Sequence, residues 1–191
     1  MKKIIVFLVS LFLTACVGIP KLDAPEKLKH DKKVYYQVLH QDLGNIIRYF
    51  YVQKTDSLQD WKSAVELLQD RSQPSLTLEQ RIALRNKAFS KSHVVRFDVQ
   101  KKNNQLLSYV IYRPTKQYKN WQIDIAKGIE TPLCGFIQYK YSLRVAKNKK
   151  FMNVANKKIA TYLKKYVVDK EINRFQKQPI FTWDCLKYSE K

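Results

Sequence analysis

From His93 to Val145 the sequence runs at a period of two, through four successive segments. Val95, Phe97 and Val99 alternate with Arg96, Asp98 and Gln100. After a turn at Lys101–Asn104, Leu107, Tyr109 and Ile111 alternate in the same way, with Val110 and Tyr112 also apolar on the other face. Trp121, Ile123 and Ile125 then alternate with Gln122, Asp124 and Ala126. Ile137, Tyr139, Tyr141, Leu143 and Val145 alternate with Gln138, Lys140, Ser142 and Arg144. Successive side chains of a strand point to opposite faces, so four such runs with short links predict an antiparallel meander. One face is expected to be core and the other largely polar. The second run is apolar on both faces and is expected to be buried on both sides. Arg113-Pro114 ends it.

The flanking segments read as helical or mixed. Residues 34–53 carry Tyr35, Leu39, Leu43, Ile46 and Phe50 at helical spacing, against a strand–turn–strand reading centred on Leu43-Gly44-Asn45. A strand is expected at 46–53, with 34–43 left open. Asp56 or Ser57 caps a helix expected to run to about Arg71, with Leu58, Trp61, Val65 and Leu68 as its buried stripe. Pro74 breaks it. Thr77 and Gln80 form a capping-box pattern, and a second helix through Phe89 buries Leu78, Ile82 and Phe89. These two form an expected helical hairpin. Residues 150–166 return to helical spacing, with Phe151, Ala155, Ile159, Tyr162 and Tyr166 on one stripe. Ile180–Cys185 resembles a last strand or an extended arm. The expected fold class is α+β: an N-terminal helical hairpin and a C-terminal helix packed on a curved four- to six-stranded antiparallel sheet.

Charge narrows the partners. The 191 residues hold 36 Lys and Arg against 16 Asp and Glu, a formal net charge of +20. Such an excess favours anionic partners: lipid headgroups, lipopolysaccharide phosphates, peptidoglycan carboxylates or nucleic acid. No Asp or Glu lies between Glu130 and Asp169. On the C-terminal helix Lys150, Lys157 and Lys164 fall opposite the apolar stripe, with Lys158 and Lys165 beside them. This face is the candidate site for an anionic partner, and a merely solvated face is the alternative. Lys rather than Arg points to diffuse attraction. Nucleic acid is disfavoured, because it wants aromatics interleaved among the cations and Tyr162 and Tyr166 are assigned to the buried stripe.

Catalytic patterns are thin. His30 falls in a charged, proline-containing segment, where solvation is expected. His40 and His93 sit at element ends. There is no HExxH, CxxC, GxSxG or phosphate-binding loop. Asp98, Asp124, Glu130 and Asp184 are scattered, and Arg96, Asp98, Asp124, Lys140 and Arg144 are expected to share a polar sheet face as cross-strand ion pairs. A thiol hydrolase with Cys134 as nucleophile is the sharpest enzymatic idea, but every His precedes Cys134. No enzyme activity, metal or cofactor is expected.

The first sixteen residues fix an address. Lys2 and Lys3 precede an apolar run from Ile4 to Leu13, too short to span a membrane. Leu13-Thr14-Ala15-Cys16 resembles the bacterial lipobox. The resemblance implies a signal peptide over residues 1–15, cleavage before Cys16 and lipidation of Cys16. Val17, rather than Asp, favours the outer membrane. Residues 16–33 then read as the lipidated cysteine and a flexible tether, and 34–191 as one periplasmic domain. With Cys16 lipidated, Cys134 and Cys185 remain as a pair, expected to be disulfide-bonded in an oxidising periplasm; two free thiols are the alternative. The functional expectation is a non-enzymatic envelope binding or scaffolding module, facing anionic lipid, cell wall or an acidic partner protein. A small-ligand or lipid carrier with a pocket between helices and sheet, and a cell-wall hydrolase, are the alternatives.

Overall fold

Strand, more than helix, is what this chain forms. A computed structural model describes residues 20–72, 74–90, 93–147, 151–177 and 185–186. In chain order the strands are β1 (Lys21–Leu22), β2 (Lys27–His30), β3 (Lys33–Asp42), β4 (Ile46–Val52) and β5 (Ser63–Asp70). Helix α1 (Leu78–Phe89) leads into β6 (Val94–Lys102), β7 (Gln105–Tyr112), β8 (Trp121–Thr131) and β9 (Gly135–Val145). Helix α2 (Asn156–Leu163) passes through a π turn (Lys164–Val168) into α3 (Asp169–Lys177), and β10 (Cys185–Leu186) follows.

The eight-stranded sheet has the order β2-β3-β4-β5-β9-β8-β7-β6 and is antiparallel throughout. It is two meanders joined at their last strands. The chain builds β2 to β5 outward-in, crosses on α1 to the far edge, and returns through β6 to β9, where β9 closes against β5. The sheet curls into a half-barrel. The predicted meander between 94 and 145 is present, with its first turn at Asn103 and Asn104, both at positive φ. Asn tolerates that region better than most residues, as a two-residue hairpin requires. β7 is buried from Leu106 to Ile111, on both faces, as expected.

The α+β expectation is overturned: the fold is mainly β. There is no helical hairpin. Residues 63–70 form β5, pairing with β4 and β9 along its whole length. The helical stripe there was a coincidence of spacing. β5 is buried on both sides, so Ala64, Val65 and Leu67 are all enclosed and the alternation that marks a half-exposed strand is absent. The α1 half of the hairpin is correct. Thr77 Oγ1 accepts from Gln80 N, and the Gln80 side chain accepts from Thr77 N. Residues 34–53 are strand–turn–strand, with Gly44 at φ +80° in the turn.

The segment read as a tether also enters the fold. Leu22, Leu28 and His30 are buried. Gln69 clamps it: its Nε2 donates to the carbonyls of Pro20 at 2.9 Å and Cys134 at 3.1 Å, and its Oε1 accepts from Leu22 N at 2.9 Å. β1 pairs with β10, with Leu22 opposite Cys185.

Both sheet faces are covered, where one polar face was expected. On the first, Tyr35, Tyr51, Leu67 and Tyr139 form one core with Leu22 of β1 and with Ile159, Leu163, Val168 and Phe175 of the C-terminal helices. On the second, Leu78, Ile82 and Phe89 of α1 pack on Val99, Leu106 and Phe136. Gly128 makes room for Phe136, since a Cβ there would stand 2.3 Å from its ring.

Candidate functional site

The C-terminal helix carries the candidate site, and a π turn at Lys164–Val168 shapes its second half. A π turn inserts one residue into the helical repeat. The buried positions therefore run Ile159, Leu163, Val168, Glu171 and Phe175, with a five-residue step across the insertion. Tyr162 and Tyr166 are left outside the buried stripe, at 48% and 55% exposure, correcting their assignment to the core. Their ring centroids are 4.7 Å apart, and Tyr162 meets Phe151 edge-on at 6.0 Å. Lys165 Nζ stands 5.2 Å from the centre of the Tyr166 ring. Lys157, Lys158 and Lys165 are exposed alongside. Lys164 is half-buried and engaged by Asp169 at 2.8 Å. Lys150 lies outside the described residues. Met152, four residues ahead of α2, adds a further exposed apolar side chain. Aromatics are therefore interleaved with the lysines, and the ground on which nucleic acid was disfavoured falls away.

Beneath the patch the same helix makes a buried polar chain. His30, expected to be solvated, is enclosed. Its ring stacks on Tyr141 with centroids 4.1 Å apart. Its Nδ1 lies 2.9 Å from the Tyr139 hydroxyl and its Nε2 3.3 Å from Glu171 Oε2. Burial pushes the Tyr139 phenol well above its ordinary range, so it keeps its proton and can donate to Nδ1. Nε2 then carries hydrogen toward Glu171. Arg174 pairs with Glu171 at 2.5 Å and with Asp31 at 2.8 Å. This chain fastens α3 to the β2–β3 turn and fixes which helix face looks outward. It was missed because charge and proline mask the short alternation Leu28, His30 against Lys27, Lys29.

On the second face, charges are paired off. Glu66 meets Lys140 at 2.9 Å and also Arg48. Asp70 meets Arg81 at 2.5 Å. Arg81 and Arg85 both lie over the Phe136 ring, and burial followed by the Arg81 charge lowers the Arg85 pKa to about 10. The expected ion-pair grid does not form. Arg96 reaches Tyr109 and Thr161 on the first face, while Arg144 lies over Trp61, 3.8 Å from its centre. Cys134 is buried and disulfide-bonded, so its sulfur is no nucleophile. The Cys185 side chain and Cys16 lie outside the described residues.

A protein-family model matches residues 22–180, from within β1 to beyond α3. The chain belongs to that family. Its matched span includes the β1–β2 segment that composition marked as a tether. An uncharacterized protein of Haemophilus influenzae (strain Rd) is 36% identical over 183 residues, covering 92% of this chain and 95% of that protein. No solved structure matches the chain.

Proposed function

We propose that the protein is a bacterial outer-membrane lipoprotein, anchored through Cys16, whose domain is a non-enzymatic binding module seated on an anionic membrane surface. The observation that carries this reading is the exposed Tyr162–Tyr166 pair among Lys157, Lys158 and Lys165. Tyrosine rings favour the boundary between headgroups and hydrocarbon, where the ring is buried and the hydroxyl stays wet. Each adjacent lysine contributes about 1 kcal/mol against an anionic surface. Geometry supports the same reading. Pro20 is four Cα steps from Cys16, a reach of at most about 14 Å, so the domain is held close to the bilayer. Leu22 and α2 pack in one core on the same side of the sheet, so that side brings both anchor and patch toward the membrane.

The space between helices and sheet is filled by tyrosine, phenylalanine and aliphatic side chains, which favours a docking module over a carrier. Cys185 is the proposed disulfide partner of Cys134. Its strand pairs with Leu22, whose amide is held by the same Gln69 that binds the Cys134 carbonyl.

The test uses protein carrying Cys16→Ser, which removes the lipid and leaves the patch as the route to the bilayer. It is expected to co-sediment with phosphatidylglycerol vesicles, to release in high salt and to ignore phosphatidylcholine vesicles. Tyr162→Ala with Tyr166→Ala is expected to lower vesicle affinity about tenfold. Absence of binding to anionic vesicles would overturn docking; unmodified Cys16 in envelope-extracted protein, read by mass spectrometry, would overturn the anchor.

A further inference from the structure

Opposite in character to the lysine patch, the loop between β7 and β8 borders a half-open cleft with mixed polar and aromatic walls. Arg113 N donates to the His93 carbonyl at 3.3 Å, and Thr115 and Tyr118 exchange two hydrogen bonds at 2.8 and 3.0 Å. These bonds hold the loop against the end of the sheet. The cleft behind it measures about 310 Å³, and Tyr112, Arg113, Tyr118, Asn120, Gln122 and Asp124 are among its walls. That volume sits at the small end of the range for small-molecule sites, about 300–1,000 Å³.

Asp124 is half-buried and accepts one hydrogen bond, from Gln122 Nε2 at 2.9 Å. Among the described residues it has no cationic partner, although Asp42, Glu66, Asp70 and Glu171 all have one. In a chain of net charge +20 an unpaired, half-buried carboxylate is an acceptor left open. Beside it, burial and then the Asp124 charge raise the Tyr112 phenol above its ordinary range, so the hydroxyl stays protonated. Tyr112 makes no side-chain hydrogen bond among the described residues, so the hydroxyl is available to a ligand. Tyr118 stands at the rim with its ring more than half exposed.

The signs decide the ligand class. Asp124 repels an anion, and Arg113 with the overall positive charge repels an amine. A neutral molecule rich in hydroxyl groups uses donors and acceptors together, and a sugar ring also offers a C–H face for the Tyr118 ring. We propose that this cleft binds a neutral pyranose unit of an envelope glycan, with Asp124 and Tyr112 gripping hydroxyl groups and Tyr118 stacking on the ring.

Saturation-transfer NMR on the full-length lipidated protein in nanodiscs tests this. One arm uses diacetylchitobiose, carrying N-acetylated sugars like those of the cell-wall glycan. The other uses a dephosphorylated heptose–hexose oligosaccharide like the lipopolysaccharide core. Saturation of ring protons in one arm is expected and names the source. Asp124→Asn and Tyr118→Ala are each expected to weaken it about tenfold. Tyr118 is exposed on a loop, so its variant keeps the fold and decides the matter should Asp124→Asn be unstable. The proposal is overturned if neither sugar binds, if binding survives Tyr118→Ala undiminished, or if only ethylamine or inorganic phosphate occupies the site.

Discussion

Glu66 sits inside the sheet with two cations, Lys140 at 2.9 Å and Arg48. Burial alone raises a carboxyl pKa, yet here the two positive partners outweigh it and hold the group below its ordinary value of 4.5. The folded pKa therefore lies below the unfolded one. The stability this provides is complete above about pH 4.5 and is lost as pH falls through the folded value. Glu66→Gln leaves two cations facing a neutral group, so a loss of about 3 kcal/mol at pH 7 is expected from urea denaturation. The gap to the wild type should narrow below about pH 4.5 as the wild-type carboxylate takes up its proton. A gap independent of pH would show that the pair contributes nothing. Neither Glu66 nor His30 was legible as a buried polar residue. Each lies among residues whose composition argued for something else, a helix face at Glu66 and a tether at His30, and only cross-strand neighbours distant in sequence supply their partners.

Among elements, those with a local signal were legible and those defined by distant neighbours were not. The capping box at Thr77 marks α1 without reference to any other part of the chain. Alternation marks β6, β8 and β9 because each keeps distinct faces. β5 has no such mark, since β4 and β9 flank it and both its faces are covered. The π turn is likewise silent in sequence, because an unbroken 3.6-residue repeat carried on from Ile159 puts Tyr166 inward; Tyr162 is exposed because α2 starts at Asn156 and buries Ile159, Ala160 and Leu163 instead. The insertion makes a specific prediction. Deleting Tyr166 shortens the step from Leu163 to Val168 to an ordinary four, which keeps Glu171 and Phe175 facing the core. Stability should change by no more than about 1 kcal/mol, while vesicle binding falls, though less than in the double tyrosine variant, because Tyr162 stays exposed. Inserting one alanine after Lys165 instead turns α3 by about 100°, pulls Glu171 from His30 and should abolish cooperative unfolding. If both variants unfold alike in urea, the π turn is part of the packing and not a device for exposing tyrosine.

At the scale of the whole molecule, two meanders share a central seam at β5 and β9, and the short strands β1 and β10 lie beside it. β1 and β10 pair with each other, and Gln69 ties β1 to the Cys134 loop. Half of the candidate site was legible: Lys157, Lys158 and Lys165 were found by helical spacing and by the absence of acid from Glu130 to Asp169. The exposed tyrosines among those lysines were not. In the proposed reading, the lipidated Cys16 would give this face a surface to meet and hold it there. The deciding measurement is relaxation enhancement by spin-labelled lipid, read at the Tyr162 and Tyr166 rings of the Cys16-lipidated protein in nanodiscs. The rings should broaden in phosphatidylglycerol nanodiscs and sharpen when Lys157, Lys158 and Lys165 are all replaced by Glu. Rings that stay sharp in anionic nanodiscs, with the anchor intact, would contradict docking through this face.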